Sequence, residues 1–338
     1  MAESATSLKE VALKAGVSIS TVSRVLSGTD YVHEKTRSRV LAVVRELNYR
    51  PNMMARSLKL GKTNAIALMI PSIDNMIFPP IVRGVEDIAR AQDYVVTLCN
   101  TDDNPDTEAR YIQKLCNMGV DGIIDATLRK ESQRITDLRD EGFPVVLTSR
   151  NYDNSLDAIV IDNYASAYEM TSFLISRGYR HIAFAMGDAQ LLLYANRLSG
   201  YTQALLDHGL PFDKELVMYE LDNPNSFYPL VKDLVKRIPS VDAVFASNDL
   251  RAIIIMRALR DLGLHIPQDI GVVGFDDIPI STFMDPPLTT IHQPLYEIGV
   301  QAAKRLIQQI QNKTEKGILD SPRIEILETK LTVRDSTK

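Results

Sequence analysis

From residue 65 onward, short apolar segments alternate with amphipathic ones, and this alternation restricts the fold more than any other feature. The predicted strands are 66–70, 95–98, 122–126, 144–148, 159–161, 181–185, 243–246 and 271–275. The predicted helices are 81–91, 107–118, 164–177, 198–207, 250–262 and 298–310. Strand–helix alternation is typical of parallel sheets covered by helices on both faces. Because eight strands are more than we expect in a single sheet of this kind, we expect an α/β body of two doubly wound lobes.

The first sixty residues follow a different, purely helical pattern. Ser7 and Glu10 have the spacing of a capping box, and Gly16 suits the left-handed end of a first helix. Ser18 can cap a second helix over 19–26, and a third is predicted over 34–47. Two short helices joined by a glycine-containing turn form a helix-turn-helix motif. We therefore expect an all-α head before the α/β body.

The charge of the chain is divided between these two parts. Residues 1–62 contain eleven basic and five acidic residues, a net +6, whereas the remainder contains 27 basic and 38 acidic residues, a net −11. A basic head on an acidic body is typical of a module that binds a polyanion. A generic three-helix bundle with solvated charges is the alternative, and the cap, turn and short second helix favour DNA binding over it.

Small polar side chains are concentrated at the start of the second helix, followed by Arg24. Hydroxyl groups there can reach DNA phosphates, and the Arg24 guanidinium can bind guanine bidentately in the major groove. Basic side chains of the third helix, Arg37 among them, are suited to backbone contacts. In the body, ligands of such sheets bind where the strands end, so the residues that follow each strand are candidate ligand contacts.

Several segments resemble the LacI/GalR family of bacterial transcription regulators. They include LKEVALKAGVSISTVSRVLSG, ELNYRPNMMARSLK, RGYRHIAF, NRLSGY, ASNDLRA, VVGFDDIPISTFMDPPLTTIHQP and LTVRDS, and together they cover nearly the whole chain. The resemblance implies a hinge helix after Pro51, in which Leu58 enters the DNA minor groove as a wedge. An ordinary linker helix with a core-facing leucine is the alternative from the residues alone. The predicted DNA contacts are Ser7, Ser18, Ile19, Ser20, Thr21, Ser23, Arg24, Arg37, Asn52, Ala55, Leu58 and Lys59.

The family's body is similar to periplasmic sugar-binding proteins, which implies a small-molecule effector between the lobes. By resemblance, Arg197 and Asp276 match the principal effector-binding positions, and Phe78 matches an aromatic position that stacks on the ligand. Asn248 has an open alternative, because it can equally cap the helix that begins near residue 250. The predicted effector contacts are Ile77, Phe78, Thr127, Ser149, Arg197, Asn248 and Asp276.

Some positions depart from the family's pattern. Ser149 stands where the family often has an aspartate, and Ile77 replaces one of two paired aromatic residues. The segment 191–194 is unusually apolar, and it either borders the cleft or packs between subunits. These differences predict a less polar pocket than a typical sugar site, so a sugar, a nucleoside or purine, and a related metabolite all remain candidate effectors.

We expect three regions: a DNA-binding domain over 1–51, a hinge over 52–63 and an effector-binding body over 64–338. One lobe is predicted from 64–162 with 293–322, the other from 163–292 with 323–334. A single head reads about half of a palindromic operator, which predicts a homodimer. No leucine heptad follows the segment LTVRDS, at 331–336, to join dimers into tetramers. Two isolated cysteines and the lack of a secretory signal predict a cytoplasmic protein, nucleoid-associated when bound to its operator, without a metal or cofactor.

Two other classes of protein are compatible with parts of the sequence. A solute receptor for a transporter would account for the body, but the basic head and the missing export signal argue against it. An enzyme is less favoured, because no GxSxG, P-loop, HExxH or GxGxxG motif occurs and the five histidines lack metal-ligand spacing. The sequence therefore favours an effector-controlled, DNA-binding transcription regulator, most simply a repressor.

Overall fold

A computed structural model describes residues 7–27, 32–49, 62–130, 132–152, 155–221 and 223–338. The chain forms two compact units, residues 1–63 and residues 64–338, which we call the head and the body. No helix within the described ranges is both long and apolar enough to cross a membrane.

The head contains the three predicted helices. They are α1 (Leu8–Ala15), α2 (Ile19–Ser27) and α3 (Glu34–Glu46). The capping box is confirmed: the Glu10 amide donates to Ser7 Oγ at 3.3 Å, and the Ser7 amide donates to Glu10 Oε2 at 2.9 Å. Gly16 ends α1 with a φ of 61°, where a side chain would strain the backbone.

A small apolar core holds the head together. Val11, Val22, Val25, Val40 and Val43 are buried, so each helix contributes to it. Val44 of α3 and Leu47, which follows it, are half-buried and pack against this cluster. The side chains on the opposite face of each helix are exposed and can contact other molecules.

The body alternates strands and helices, as predicted. Its strands are β1 (Ala65–Ile70), β2 (Val95–Asn100), β3 (Gly122–Asp125), β4 (Val145–Thr148), β5 (Asp157–Ile161), β6 (Ile182–Met186), β7 (Val217–Tyr219), β8 (Ala243–Ala246), β9 (Gly271–Val273), β10 (Thr290–His292), β11 (Ile324–Leu327) and β12 (Lys330–Thr332). Its helices are α4 (Phe78–Ala91), α5 (Pro105–Met118), α6 (Gln133–Asp140), α7 (Asn163–Ser176), α8 (Leu192–Asp207), α9 (Phe227–Arg237), α10 (Asp249–Arg260) and α11 (Leu295–Lys316).

Ten of these strands form two parallel sheets, which confirms the two-lobed fold, and β10 and β12 form a separate antiparallel pair. The first sheet has the order β11-β5-β4-β3-β1-β2, and the second has the order β7-β6-β8-β9. Successive side chains of a strand point to opposite faces. In β1, Ile66 and Leu68 therefore join one apolar cluster, whereas Ala67 and Met69 join another on the opposite face.

The last part of the chain corrects the predicted lobe boundary. Residues 323–334 were assigned to the second lobe, but β11 pairs in parallel with β5 at the edge of the first sheet. Only after β11 does the chain return, when β12 pairs with β10 and Ser336 bonds to Val272 of the second sheet. All residues of β11 are half-buried or exposed and Glu325 lies among them, as is typical of an edge strand.

Two glycines allow α4 and α11 to approach each other closely. A Cβ atom added at Gly84 would collide with the backbone oxygen of Tyr296, and one added at Gly299 would collide with the backbone oxygen of Ile81. Because both obstacles are backbone atoms, no rotation of a side chain can relieve them. The absence of a side chain at Gly84 and Gly299 therefore allows α4 and α11 to pack at this distance.

We expect Gly299→Ala to destabilise the body, because the new methyl group must push α11 away from α4. Overpacking of this kind costs about 1–3 kcal/mol of unfolding free energy, which lowers the melting temperature by about 2–10 °C. Thermal unfolding of the full chain measures the effect, with the exposed Lys304→Ala on the same helix as the control. Equal melting temperatures for the two variants would contradict the packing argument.

Candidate functional site

The amino-terminal end of α2 presents polar groups to solvent. Ser18, Ile19, Ser20 and Arg24 are exposed, and Thr21 is half-buried. The Ser18 hydroxyl accepts from the Thr21 amide at 3.1 Å, so it caps α2 as predicted, and it lies 2.7 Å from the Ser20 hydroxyl. The amino-terminal end of α2 therefore offers hydroxyl groups and the partial positive charge of a helix amino terminus, and Arg24 adds a guanidinium in the last turn. All of these groups suit a polyanion.

The other predicted DNA contacts differ from these in exposure and in hydrogen bonding. The Ser7 hydroxyl is engaged in the capping box of α1, and Ser23 and Arg37 are half-buried on α2 and α3. Asn52, Ala55, Leu58 and Lys59 lie outside the described residues. A direct role in DNA contact stays a prediction for each member of the set.

In the body, the carboxyl ends of strands from both lobes surround a cavity of about 60 Å³, which we call the interlobe cavity. Six of the seven predicted effector contacts line it: Ile77, Phe78, Ser149, Arg197, Asn248 and Asp276. The apolar segment 191–194 borders this cavity through Leu191, Leu193 and Tyr194. The fold thus brings the candidates together, and their binding roles stay predictions.

Thr127 is the seventh candidate, and its side chain faces away from the cavity. Its hydroxyl lies 2.6 Å from Asp125 Oδ1 and 3.1 Å from Glu108 Oε2, in a buried acidic cluster. Burial, reinforced by the nearby Asp125 carboxyl, raises the pKa of Glu108 to about 7. Thr127 is not among the lining residues of the interlobe cavity, because these buried carboxyl groups take its hydroxyl as a partner. Its contact with an effector stays a prediction.

Arg197 is held in the wall of the interlobe cavity by several contacts. Its Nε donates to Asn163 Oδ1 at 2.8 Å, its Nη1 donates to the Ser247 carbonyl, and its guanidinium carbon lies 3.5 Å from the centre of the Phe275 ring. The residue is only 5% exposed, and its Nη2 has no hydrogen-bond partner among the described residues. Arg197 therefore keeps a fixed donor available to a ligand.

Asp276 provides the matching acceptor. Its Oδ1 lies 3.9 Å from Arg197 Nη1 and accepts from Gln293 Nε2 at 2.6 Å, whereas its Oδ2 has no such partner within the described residues. Burial raises the pKa of Asp276 to about 7, although the Arg197 guanidinium opposes this shift. Asp276 and Ser149 have φ values of 122° and 62°, and such costly non-glycine conformations cluster at functional sites.

Asn248 has the predicted capping role, and its effector contact stays a prediction. Its side-chain oxygen caps α10 by accepting from the Arg251 amide at 2.9 Å, and the same residue lines the interlobe cavity. Its neighbour in the loop after β9, Asp277, binds Arg334 and His292 instead and has a structural role.

The polar residues of the cavity wall that are not among the predicted effector contacts include Asn75, Arg150, Asn163 and Gln293. A signal existed for Arg150 and Asn163, because they directly follow the predicted ends of β4 and β5. None existed for Gln293, since the short strand β10 that precedes it was not predicted.

An ionic cluster joins the two lobes beside this cavity. Arg129 of the first lobe binds Asp103 at 2.7 Å and Asp188 of the second lobe at 3.0 Å, and Arg150 also binds Asp103 at 2.7 Å. Among the residues that the structure describes, Arg129–Asp188 is the one ion pair that links the lobes. The two arginines hold the pKa of Asp103 below its usual value despite its partial burial.

We expect the Asp276 carboxyl to make the body less stable as the pH rises from about 4 to about 7. Its pKa is raised in the folded chain, so its contribution to stability is complete at acid pH and is lost through a pH of about 7. Asp276→Asn should reduce the dependence of the unfolding free energy on pH, because the amide does not titrate. The reduction is about 1.4 kcal/mol for each unit by which folding raises the pKa. Urea unfolding at pH 5 and pH 8 measures it. Glu108→Gln serves as the comparison, because Glu108 contributes a slope of the same sign. An unchanged slope in Asp276→Asn would refute the assignment.

Comparison with known proteins agrees with the geometry of both units. Residues 7–52 match the model described as bacterial regulatory proteins, lacI family. Residues 63–326 match the model described as periplasmic binding proteins and sugar binding domain of LacI family.

Full-length relatives and solved structures extend these matches. The HTH-type transcriptional regulator RegA of Clostridium saccharobutylicum is 37% identical over 336 residues, covering 98% of this chain and 99% of the relative. The transcriptional regulator CelR in complex with cellobiose is 31% identical with a TM-score of 0.74, and covers 98% of this chain and 99% of that chain. The lac repressor dimer bound to operator and the anti-inducer ONPF has a TM-score of 0.85 at 26% identity, with coverages of 98% and 99%.

These matches span both units and involve regulators of transcription rather than enzymes. The chain belongs to the LacI family of bacterial regulatory proteins and is a DNA-binding transcription regulator under the control of a small-molecule effector.

Proposed function

We propose that this regulator is a repressor whose effector binds in the interlobe cavity beside Arg197 and Asp276. The observation that carries the proposal is the composition of the cavity wall: Ile77 and Ser149 come from one lobe, Arg197 and Asp276 from the other. A ligand in contact with both lobes stabilises one relative arrangement of them over others. In a typical allosteric protein, the coupling free energy between such a ligand and the second site, here the DNA, is about 1–3 kcal/mol.

On the DNA side, we propose that α2 reads bases in the major groove and that the protein acts as a homodimer on a palindromic operator. Exposed hydroxyl groups at the start of α2 and the exposed Arg24 in its last turn support the first point. The dimer bound to operator in the related lac repressor structure supports the second. The proposed boundaries are a DNA-binding domain over 1–51, a hinge over 52–63 and an effector-binding body over 64–338.

The proposed effector is a small polar metabolite, with a sugar favoured over a purine or nucleoside. Arg197 and Asp276 place a donor beside an acceptor, and a hydroxyl group can engage both. The related CelR structure contains cellobiose. The protein would act in the bacterial cytoplasm, on the nucleoid when it is bound to its operator.

Selection of duplexes from a random DNA pool tests the proposal, followed by fluorescence anisotropy with the selected duplex. We expect a palindromic sequence whose affinity falls steeply with salt and changes when a fractionated metabolite extract is added. If no sequence is enriched, the selection is repeated with the extract present, because some regulators require a corepressor. Failure of both selections would refute the DNA-binding role of the head.

We expect Leu58→Ala to weaken specific DNA binding, because the resemblance assigns Leu58 to a wedge that unstacks a base step and bends the duplex. Nonspecific, salt-sensitive binding should persist, since it depends on the basic charges of the head. Anisotropy gives the two affinities, and the migration of circularly permuted DNA fragments gives the bend. The wedge assignment fails if specific affinity and bend both equal those of a Met54→Ala control.

A further inference from the structure

A buried pair of carboxyl groups lies beneath the loop that follows β3. Glu108 of α5 is only 3% exposed, and Asp125, the last residue of β3, is fully buried. The Thr127 hydroxyl lies between them, 2.6 Å from Asp125 Oδ1 and 3.1 Å from Glu108 Oε2. Neither carboxyl group is among the lining residues of the interlobe cavity, so effector binding there does not account for the pair.

The number of hydroxyl protons indicates that this pair holds one proton of its own. Thr127 has a single hydroxyl proton, which it can donate fully to only one of the two carboxyl groups. The 2.6 Å contact has the length of a hydroxyl that donates to a carboxylate, so Asp125 receives that proton and is ionised. The contact with Glu108 then requires a proton on Glu108 itself, with the Thr127 oxygen as acceptor.

A second negative charge would be poorly accommodated at this position. Carboxyl groups that share a buried partner repel each other when both are ionised, so they lose their protons one at a time. Asp125 Oδ2 is buried and has no hydrogen-bond partner among the described residues, so even the first charge is incompletely satisfied. In agreement, burial and the Asp125 charge raise the pKa of Glu108 to about 7.

The charged groups that face Glu108 within the described residues come from two elements. Asp125 of β3 raises its pKa, and Arg150, which follows β4, opposes that shift. Strands β1 and β2 contain no charged residue. The start of α6 contributes the Ser132 hydroxyl, whereas the first charged side chain of that helix, Arg134, is held in a separate ion pair. One carboxylate and one guanidinium therefore control the protonation of Glu108.

Glu108 also supports the loop that joins the two lobes. Ser132 Oγ donates to Glu108 Oε2 at 3.0 Å and accepts from the Arg129 amide at 2.9 Å. Thr127, at the start of the same loop, bonds to the same oxygen of Glu108. Between these two anchors, the Arg129 side chain reaches Asp188 of the second lobe at 3.0 Å. The position of the interlobe ion pair therefore depends on how Glu108 is bonded.

We propose that Glu108 is a proton-operated positioning residue for the ion pair between Arg129 and Asp188. The protonated carboxyl group donates to Thr127 and holds the loop in the conformation that places Arg129 against the second lobe. Ionisation removes this donor and sets two buried negative charges against each other, so the loop moves and the lobes separate more often.

The consequence for the effector rests on the proposed function. Apparent affinity scales with the fraction of molecules in the binding-competent arrangement. A rise in pH lowers the fraction in which the lobes are together, so it weakens the binding of any ligand that contacts both lobes. The body thereby responds to pH as well as to its effector.

Energy transfer between two fluorophores measures how often the lobes are together. The labels are attached to Lys114→Cys on α5 and Asn225→Cys, just before α9, in the full chain with Cys99 and Cys116 replaced by serine. Dilution with unlabelled chain keeps the transfer within one molecule. Without DNA or effector, we expect the transfer to fall from about pH 5.5 to about pH 8.5 as one proton is lost, with a midpoint near the Glu108 pKa of about 7.

Four variants assign this transition. Glu108→Gln can donate to the loop at every pH, so the transfer should stay at its acid value. Arg129→Gln lacks the interlobe partner, so the transfer should stay low and independent of pH. Asp106→Asn removes an exposed carboxyl group from the same helix and is the matched control, with an unchanged transition. Asp276 also has a pKa of about 7, so Asp276→Asn is measured as well and should keep the transition.

Three results would overturn the inference: no transition in the unsubstituted labelled chain, a full transition in Glu108→Gln, or a transition that Asp106→Asn removes as completely as Glu108→Gln. If Glu108→Gln does not fold, Arg129→Gln decides, because a full transition in that variant excludes a role of the ion pair. The response of the operator complex to the metabolite extract tests the proposed function separately. That response without a pH transition would reject the proton-operated loop alone.

Discussion

Replacing Arg197 by lysine is expected to abolish the response to effector and to leave operator binding intact. The lysine ammonium cannot reproduce the planar contacts with Asn163, the Ser247 carbonyl and the Phe275 ring. Disrupting a buried charge pair costs about 3–5 kcal/mol, which corresponds to a rise of about 150- to 4,000-fold in the effector's dissociation constant. Titration of the effector against the operator complex, followed by anisotropy, measures this rise.

Arg305→Lys separates this effect from general destabilisation. Arg305 also forms a largely buried ion pair, with Asp157 at 2.7 Å, but it does not line the interlobe cavity. We expect Arg305→Lys to lower the melting temperature without a change in the effector midpoint. If the two variants shift that midpoint equally, Arg197 acts through stability and not through the ligand.

Replacing Arg24 by alanine is expected to weaken operator binding and to relax sequence preference. Arg24 is exposed on α2, on the helix that we propose enters the major groove. A bidentate contact between arginine and guanine contributes about 1–3 kcal/mol of discrimination, or about 5- to 150-fold in affinity. Repeating the duplex selection with the variant shows which base position becomes variable.

Lys14→Ala is the matched control on the head. Lys14 lies at the end of α1, where it pairs with Glu46 at 2.7 Å, so its removal changes the charge of the head without touching α2. We expect it to weaken specific and nonspecific binding equally and to preserve the selected sequence. A selected sequence that is unchanged by Arg24→Ala would exclude Arg24 from base reading.

The long elements of the fold could be predicted because their side chains repeat with a regular period. Strands such as β1 and β8 are continuous apolar runs that end at polar residues, which is typical of central parallel strands. The strands β7, β10, β11 and β12 were missed. They are as short as β8 and β9, but exposed or polar residues interrupt their apolar runs. Helix α6 was missed because Ile135 and Leu138 are its only buried residues, and Pro229 obscured the start of α9.

The cavity residues could be predicted because parallel strands deliver their following residues to one edge of the sheet. The direction of a side chain within that edge could not be predicted. Thr127 follows β3 as expected, but its hydroxyl turns towards Glu108, a residue 19 positions earlier on another helix. Such a contact depends on tertiary packing and leaves no local pattern in the sequence.

The ion pair between Arg129 and Asp188 makes the affinity for the effector depend on ionic strength. Part of the attraction between the lobes is electrostatic even without a ligand, and both side chains are reached by solvent, at 14% and 39% exposure. Dissolved salt weakens such a pair, so it lowers the fraction of molecules in which the lobes are already together. Apparent affinity scales with that competent fraction. An uncharged effector will therefore bind more weakly in concentrated salt, although it carries no charge to be screened.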